Sequence, residues 1–368
     1  MALDAKYLQG LKPELAQVIS CVASLVSDIS VILRSASAGY SGSTNAFGDD
    51  QLEVDVQVDR LIFERLASCN AVQGAASEEQ PEFKELPGSG YTVVFDPLDG
   101  SSIMGANFAV GTIFGIWPGG NPVGLAGRQQ AAAAYAVYGP QTILVLARPR
   151  EHSTPAAAHA PNGAEEVVAP NGNAQQPQPQ PNDSHDSGAG CNNSTGADTT
   201  STTTTTSMVC SSANVRSTHE VQEFRLQADG AWRLHQSDVT IGPVSRTFAP
   251  ANLRAAAGNK EYAALVQRWI EASFTLRYTG GMVPDVHHIL AKGSGVFCNP
   301  CSEAAPAKLR LLFECAPLAF VVEAAGGSST TGQCSVLDVV VRTPNDRSKI
   351  CLGSCQLVEE SLAAMQAA

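Results

Sequence analysis

No uninterrupted apolar run in the chain approaches the roughly 20 residues that a membrane-spanning helix needs, so the hydropathy pattern predicts no membrane segment. Basic residues are also scarce: 23 Lys and Arg stand against 35 Asp and Glu, a formal net charge of -12. Nucleic acid and anionic membrane surfaces attract a protein through concentrated positive charge, and no basic patch is visible, so neither is an expected partner. Residues 1–10 lack both a secretory apolar region and an Arg/Ser-rich transit character. The ten cysteines lack nearby ligand-type histidines. Only the pairs Cys298 and Cys301, and Cys351 and Cys355, have chelating or redox spacing, so a zinc site is not expected. Scattered free cysteines act as small apolar residues and predict a reducing compartment.

At 368 residues the chain exceeds a comfortable single core, which predicts two packed domains or one large α/β unit. Leu15, Val18, Ile19, Val22, Leu25, Val26, Ile29 and Leu33 recur at three- and four-residue spacing after Pro13, predicting an amphipathic helix that ends near Gly39. A second helix is expected over residues 52–67, with Asp55 and Asp59 one turn apart. Residues 91–95 read as a buried strand ending at Asp96, residues 108–117 as a strand, residues 128–137 as an Ala-rich helix, and residues 142–147 as a strand that stops at Pro149. Residues 150–218 are rich in Pro, Gln, Asn, Ser and Thr. They are too polar to offset their ordering entropy, which predicts a disordered insertion. Its length is tolerable because loop closure grows by only about 0.6 kcal/mol per doubling. Short strands are expected over residues 223–226 and 232–235, and helices over 261–274 and 309–325, the last stopped by Gly326-Gly327.

The chemistry concentrates at Asp96-Pro97-Leu98-Asp99-Gly100-Ser101-Ser102. A turn at the end of a buried strand brings two carboxylates and the Leu98 carbonyl towards one point, an all-oxygen donor set suited to Mg2+ or Mn2+. Taken alone, Asp-x-x-Asp-Gly is more often a turn whose side chains cap backbone amides. Glu78-Glu79 adds two carboxylates that, taken alone, read rather as the solvated end of a strand or turn. Glu314 lies among apolar residues, where a carboxylate needs a cation or strong donors; pairing with Arg310 one turn earlier is the plainer account. Gly100, Ser101 and Ser102 offer N–H groups and hydroxyls that can hold a phosphate. Lys308, Arg310, Arg277 and Tyr278 offer cations and a phenol for a second one.

Asp55, Glu78-Glu79 and the Asp96–Ser102 segment together resemble the signature of the lithium-sensitive sugar phosphatase superfamily. The segments Phe108-Ala-Val-Gly-Thr-Ile-Phe-Gly-Ile-Trp, Arg277-Tyr-Thr-Gly-Gly-Met-Val-Pro-Asp-Val-His-His and Lys308-Leu-Arg-Leu-Leu-Phe-Glu resemble its fructose-1,6-bisphosphatase class, and more closely the sedoheptulose-1,7-bisphosphatases. The resemblance implies a layered α-β-α-β-α fold of mixed α/β class. Its N-terminal metal-binding domain would comprise residues 1–149 and 219–245, and its C-terminal sugar-binding domain residues 246–368. It further implies Glu78, Asp96, Asp99, Glu314 and the Leu98 carbonyl as ligands of two or three Mg2+ ions, with Asp49 completing a further site and Asp55 and Glu79 orienting the attacking water. Asn252, Tyr278 and Lys308 match positions that grip the sugar and its distal phosphate, and Arg277 one that reaches a neighbouring subunit, as in a homodimer or homotetramer.

Two departures bear on the substrate and on regulation. Cys298 stands where the fructose enzymes carry a tyrosine, which favours the seven-carbon substrate. Ala38-Gly-Tyr-Ser-Gly-Ser43 stands where plant-type enzymes carry a light-regulatory cysteine pair, which argues against thioredoxin switching there. The expected activity is Mg2+-dependent removal of the 1-phosphate of sedoheptulose 1,7-bisphosphate. Fructose or dual specificity, and an inactive homologue serving as a binding protein, remain alternatives. The family suggests chloroplast stroma, with cytoplasm as the alternative.

Overall fold

The computed structural model describes residues 2–35, 40–44, 50–150 and 212–367. Asp49 and most of the polar segment expected to be disordered therefore lie outside the described residues. Within them the chain builds five layers, alternately helical and sheet, as the fold expectation required.

A hairpin of β1 (Tyr40–Thr44) and β2 (Asp50–Leu52) stands apart from two larger sheets. The first has eight strands: β3 (Val72–Ser77), β4 (Lys84–Glu85), β5 (Tyr91–Asp99), β6 (Val110–Pro118), β7 (Ala132–Tyr138), β8 (Thr142–Pro149), β9 (His219–Leu226) and β10 (Trp232–Gln236). Their order is β10-β9-β8-β7-β6-β5-β3-β4, antiparallel throughout except for the parallel β3–β5 pair. The second sheet joins β11 (Thr247–Pro250), β12 (Thr275–Leu276), β13 (Val296–Asn299), β14 (Ser328–Thr330) and β15 (Ile350–Gly353) in the order β12-β11-β13-β15-β14.

Helices α1 (Pro13–Ser35) and α2 (Glu53–Ala67) cover the outer face of the first sheet. Val18, Ile19, Val22, Leu25, Val26 and Ile29 are all buried there, as the helical period predicts, and the expected helix end near Gly39 lies outside the described residues. By length and composition α1 would be apolar enough to cross a membrane, with a mean hydropathy of 1.9 over its best window, contrary to the reading from uninterrupted runs. More than half of that window is buried, which is the pattern of a core helix. After a four-residue helix α3 (Ser101–Met104) come α4 (Ser212–Thr218), α5 (Lys260–Glu271), α6 (Met282–Lys292) and α7 (Ala316–Ala324). Residues of α6 and α7 fill the core between the two sheets, and α5 closes the far side of the second sheet with α8 (Cys355–Glu360) and α9 (Leu362–Gln366).

Three sequence expectations need correction. The Ala-rich stretch expected as a helix over 128–137 is strand β7, preceded by a single turn at Gly127–Gln129. Every residue of β7 is buried: Ala133, Tyr135 and Val137 enter the inter-sheet core, while Ala132, Ala134, Ala136 and Tyr138 enter the core beneath α1. A strand covered on both faces shows no polar alternation, so its period of two is invisible and its alanines read as helix formers.

The second correction concerns residues 212–218, placed with the disordered insertion but forming α4. Their order comes from tertiary contacts. Val215 is buried, and Arg216 pairs with Asp238 at 2.9 Å and donates to the Ala324 carbonyl at 3.1 Å.

The third is the expected helix over 309–325. It opens with a wide π turn at Leu311–Cys315 before α7. Both the Glu314 and the Cys315 amides donate to the Arg310 carbonyl, at 3.1 and 3.0 Å, and Pro317 follows at the start of α7.

Candidate active site

The β5 strand does not stop at Asp96 as expected but continues to Asp99. Asp96 faces Ile113 and Asp99 faces Gly111, so Pro97 and Leu98 oppose Thr112 alone. This bulge follows from Pro97, which has no N–H for the ladder, and it bends the strand between Asp96 and Asp99. The Thr112 hydroxyl holds the Pro97 carbonyl at 2.9 Å, and the Leu98 amide donates to Asp96 Oδ1 at 2.9 Å. Gly100, at φ 80°, then turns the chain into α3; a Cβ there would lie 3.2 Å from Gly281 Cα, which explains glycine at this position. Ser101 is half-buried and Ser102 exposed at the start of α3.

The π turn directs Glu314 towards the same point. Glu78, Asp96 and Glu314 each place a carboxylate oxygen within 4.8 Å of the others, with Asp96 and Glu314 buried and Glu78 half-buried. Three carboxylates this close repel one another, and their only described cationic neighbour is the buried Arg310, whose Nη2 lies 3.8 Å from Glu78 Oε1. Arg310 also donates its backbone N–H to Glu314 Oε2. The guanidinium therefore belongs to the acidic cluster, and not to an open mouth for a second phosphate as the sequence reading had it. Burial, then the negative charge of Glu78, Asp99 and Glu314, drives the Asp96 carboxyl well above its ordinary range. Burial and Glu78 do the same to Glu314, against the Arg310 amide and guanidinium.

Asp99 stands slightly apart. Its two oxygens accept from the Met282 amide at 3.2 Å and the Val283 amide at 2.6 Å, the first N–H groups of α6, while burial raises its carboxyl to about 6. The chain passes close here, since a Cβ on Gly111 would lie 2.4 Å from the Val283 side chain. Asp55, in the first turn of α2, caps the helix by accepting from the Leu52 amide at 3.0 Å. Burial lifts its carboxyl to about 6, opposed by the Leu52 amide and, more weakly, by the Ser101 hydroxyl. Its Oδ1 is buried with no protein partner. Glu79 is half-buried next to Glu78 but is not one of the three converging carboxylates.

The residues expected to hold the sugar come from the second sheet. Asn252, in a left-handed conformation at φ 48°, donates its amide nitrogen to the Pro300 and Ala305 carbonyls at 2.8 and 3.1 Å. Arg277, Tyr278 and Lys308 are exposed. Burial, followed by Asp285, raises the Tyr278 phenol, while Arg254 acts in the opposite direction and Asp99 in the same one. Asp285, which sequence reasoning passed over, is buried at the start of α6 and accepts from the Thr279 amide at 2.8 Å, fixing the turn that carries Tyr278. Its spacing after Gly280-Gly281, in the first turn of a helix, was the available signal.

The cluster fits a hard divalent cation. Its donors are all carboxylate oxygens, two of the three are buried, and a single guanidinium stands beside three like charges. The raised carboxyls make a stability prediction with a definite sign. Asp99 and Asp55 rise from 3.8 to about 6 on folding, and Asp96 and Glu314 move in the same direction. The folded, metal-free protein then binds more protons than the unfolded chain above pH 4. Stability is greatest below the unfolded values and is lost as pH rises through about 6. Thermal melts of chelated protein are expected to fall between pH 5 and 8, and Mg2+ is expected to reverse the fall. A chelated melting temperature that rises over this range would contradict it.

Comparison with known proteins agrees with this geometry. The N-terminal domain model of fructose-1,6-bisphosphatase matches residues 3–151 and its C-terminal domain model residues 241–366. The chloroplastic sedoheptulose-1,7-bisphosphatase of Spinacia oleracea is 38% identical over 92% of this chain and 71% of its own length. The class 1 fructose-1,6-bisphosphatase of Pelobacter propionicus is 30% identical over 94% of this chain and 86% of its own. Among solved structures, a protein from Toxoplasma gondii provisionally described as sedoheptulose-1,7-bisphosphatase superposes with a TM-score of 0.76 at 31% identity, covering 100% of this chain and 99% of that one. The fructose-1,6-bisphosphatase of Leishmania major, at 22% identity and a TM-score of 0.74 over 99% of this chain and 98% of its own, shares the fold.

Proposed function

Because the chain belongs to the fructose-1,6-bisphosphatase family, we propose that it is a Mg2+-dependent sedoheptulose-1,7-bisphosphatase, releasing the 1-phosphate and leaving sedoheptulose 7-phosphate. It is a phosphoric monoester hydrolase of sugar bisphosphates. The observation that carries the reaction is the convergence of Glu78, Asp96 and Glu314 within 4.8 Å. Those three, with Asp99 and the Leu98 carbonyl, would hold the metal; Asp49 is assigned to a further site by resemblance. Bound divalent cations supply charge neutralisation at the phosphoryl oxygens and a more acidic water.

The remaining work falls to the chain's own residues. Asp55 and Glu79 would orient the attacking water, and a buried Oδ1 and a carboxyl raised to about 6 support Asp55 as the proton acceptor. Gly100, Ser101 and Ser102 hold the reacting phosphate. Asn252, Arg277, Tyr278 and Lys308 receive the sugar and its second phosphate. In this division the first sheet and the π turn at Glu314 carry the metal, and the segments leaving the second sheet carry the sugar.

Two observations support the seven-carbon substrate. The spinach sedoheptulose enzyme is more similar to this chain than the Pelobacter fructose enzyme is. Cys298 is fully buried in the core beyond the second sheet, so no phenol reaches a sugar from that position. A homodimer or homotetramer, a role in the Calvin cycle and a chloroplast location accompany the reading. Phosphate release from purified protein with Mg2+ is expected to favour sedoheptulose 1,7-bisphosphate over fructose 1,6-bisphosphate by about tenfold or more in kcat/KM, the scale of a single missing pocket contact. Preference for the fructose ester would reassign the substrate, and inertness towards both would remove the activity.

A further inference from the structure

The three strands β12, β11 and β13 run parallel to one another, so the segments following them leave the second sheet at one edge. Ligands of such sheets bind beyond the carboxyl ends of the strands. Arg277 and Tyr278 follow β12, Asn252 to Arg254 follow β11, and the segment reaching Lys308 follows β13. The exits are tied into one rim. The Asn252 amide bridges from the β11 exit to the Pro300 and Ala305 carbonyls at 2.8 and 3.1 Å, and the Arg277 amide donates to the Phe248 carbonyl at 2.9 Å.

On this rim Arg254 is exposed, in the short 3-10 turn Leu253–Ala257 that the left-handed Asn252 initiates. Its charge acts on the Tyr278 phenol, which in turn feels Asp99, so Tyr278 stands in the field of both the arginine and the metal carboxylates. Acidic residues outnumber basic ones by twelve in the chain, yet no carboxylate among the described residues pairs with Arg254 or with Lys308. A solvated surface arginine is the plain account of such a residue. It does not explain why this cation and the Tyr278 phenol follow neighbouring strands at the same edge, beside the exit of the segment that leads to Lys308.

We propose that Arg254 is a specificity-determining residue whose guanidinium grips the phosphate at the far end of the sugar, together with Lys308 and Tyr278. A planar guanidinium offers paired N–H groups to a phosphate, which Lys308 as a point charge does not. The assignment rests on the bisphosphatase reading above and adds a cation to it.

The test is calorimetric titration of sedoheptulose 7-phosphate, which carries only the distal phosphate, into the magnesium-loaded protein. R254A is expected to weaken binding by about 10- to 100-fold, with R254K recovering part of the loss because it keeps the charge without the fork. The KM for the bisphosphate should rise by the same factor while kcat changes by less than about threefold, the signature of lost ground-state binding. R254M, which retains the aliphatic stem, repeats the measurement if alanine loosens the turn. Binding of sedoheptulose 7-phosphate by R254A or R254M within twofold of the unmodified protein would overturn the role of Arg254 alone. If the unmodified protein binds neither this ligand nor fructose 6-phosphate, the bisphosphatase reading falls and the proposal with it.

Discussion

Asp96→Asn is expected to lower kcat on the order of a thousandfold, while leaving the metal-free protein at least as stable as before. Asp96 is buried among Glu78, Asp99 and Glu314, and that company drives its carboxyl upwards. The isosteric amide removes repulsion from the folded state but also removes a charged ligand. A catalytic metal's charge stabilisation amounts to several kcal/mol, and each 1.36 kcal/mol is tenfold in rate. Calorimetry should find fewer or weaker Mg2+ sites, thermal melts of chelated protein should be unchanged or higher, and phosphate release should collapse. Turnover within tenfold of the unmodified protein would show that Asp96 is not a ligand that matters to the reaction.

Asp55→Asn should separate proton transfer from metal binding. Asp55 is not among the three converging carboxylates, so Mg2+ stoichiometry is expected to survive. A lost general base costs about 10²- to 10⁴-fold in kcat. The base acts in its ionised form, and burial raises its carboxyl to about 6, so the rate of the unmodified enzyme should climb as pH rises through about 6. In the asparagine variant that acid limb should disappear together with most of the rate. An unchanged limb would assign the titration to another carboxyl.

How much of this was legible beforehand differs by element, for physical reasons. The Asp96–Ser102 turn could be read because Pro97 and Gly100 encode its backbone beside the two carboxylates: the proline forces the bulge and the glycine takes the positive φ. Helices α1 and α2 could be read because each buries one face and leaves the other wet. Strand β7 could not, since both of its faces are covered and its sequence carries no alternation. Arg310 and Glu314 were recognised as neighbours on a regular helix. The π turn between them widens the backbone there, and the arginine's place beside Glu78 depends on a strand more than 200 residues away, which no local spacing reports. Asp285 and Arg254 were passed over for a similar reason. Their significance lies in which parallel strands end together, a property of topology.

The contact between Asp99 and the beginning of α6 has a thermodynamic corollary. The amides of Met282 and Val283 that hold Asp99 directly follow the Arg277–Gly281 turn, and that turn is fastened in place by Asp285 through Thr279. Should a sugar phosphate seat on Tyr278 as proposed, any shift of that turn would also move the donors on Asp99, the carboxylate proposed as a metal ligand. Affinities at the two ends of the site then form a linked pair. Any factor by which the sugar phosphate tightens magnesium must be returned, undiminished, as the factor by which magnesium tightens the sugar phosphate.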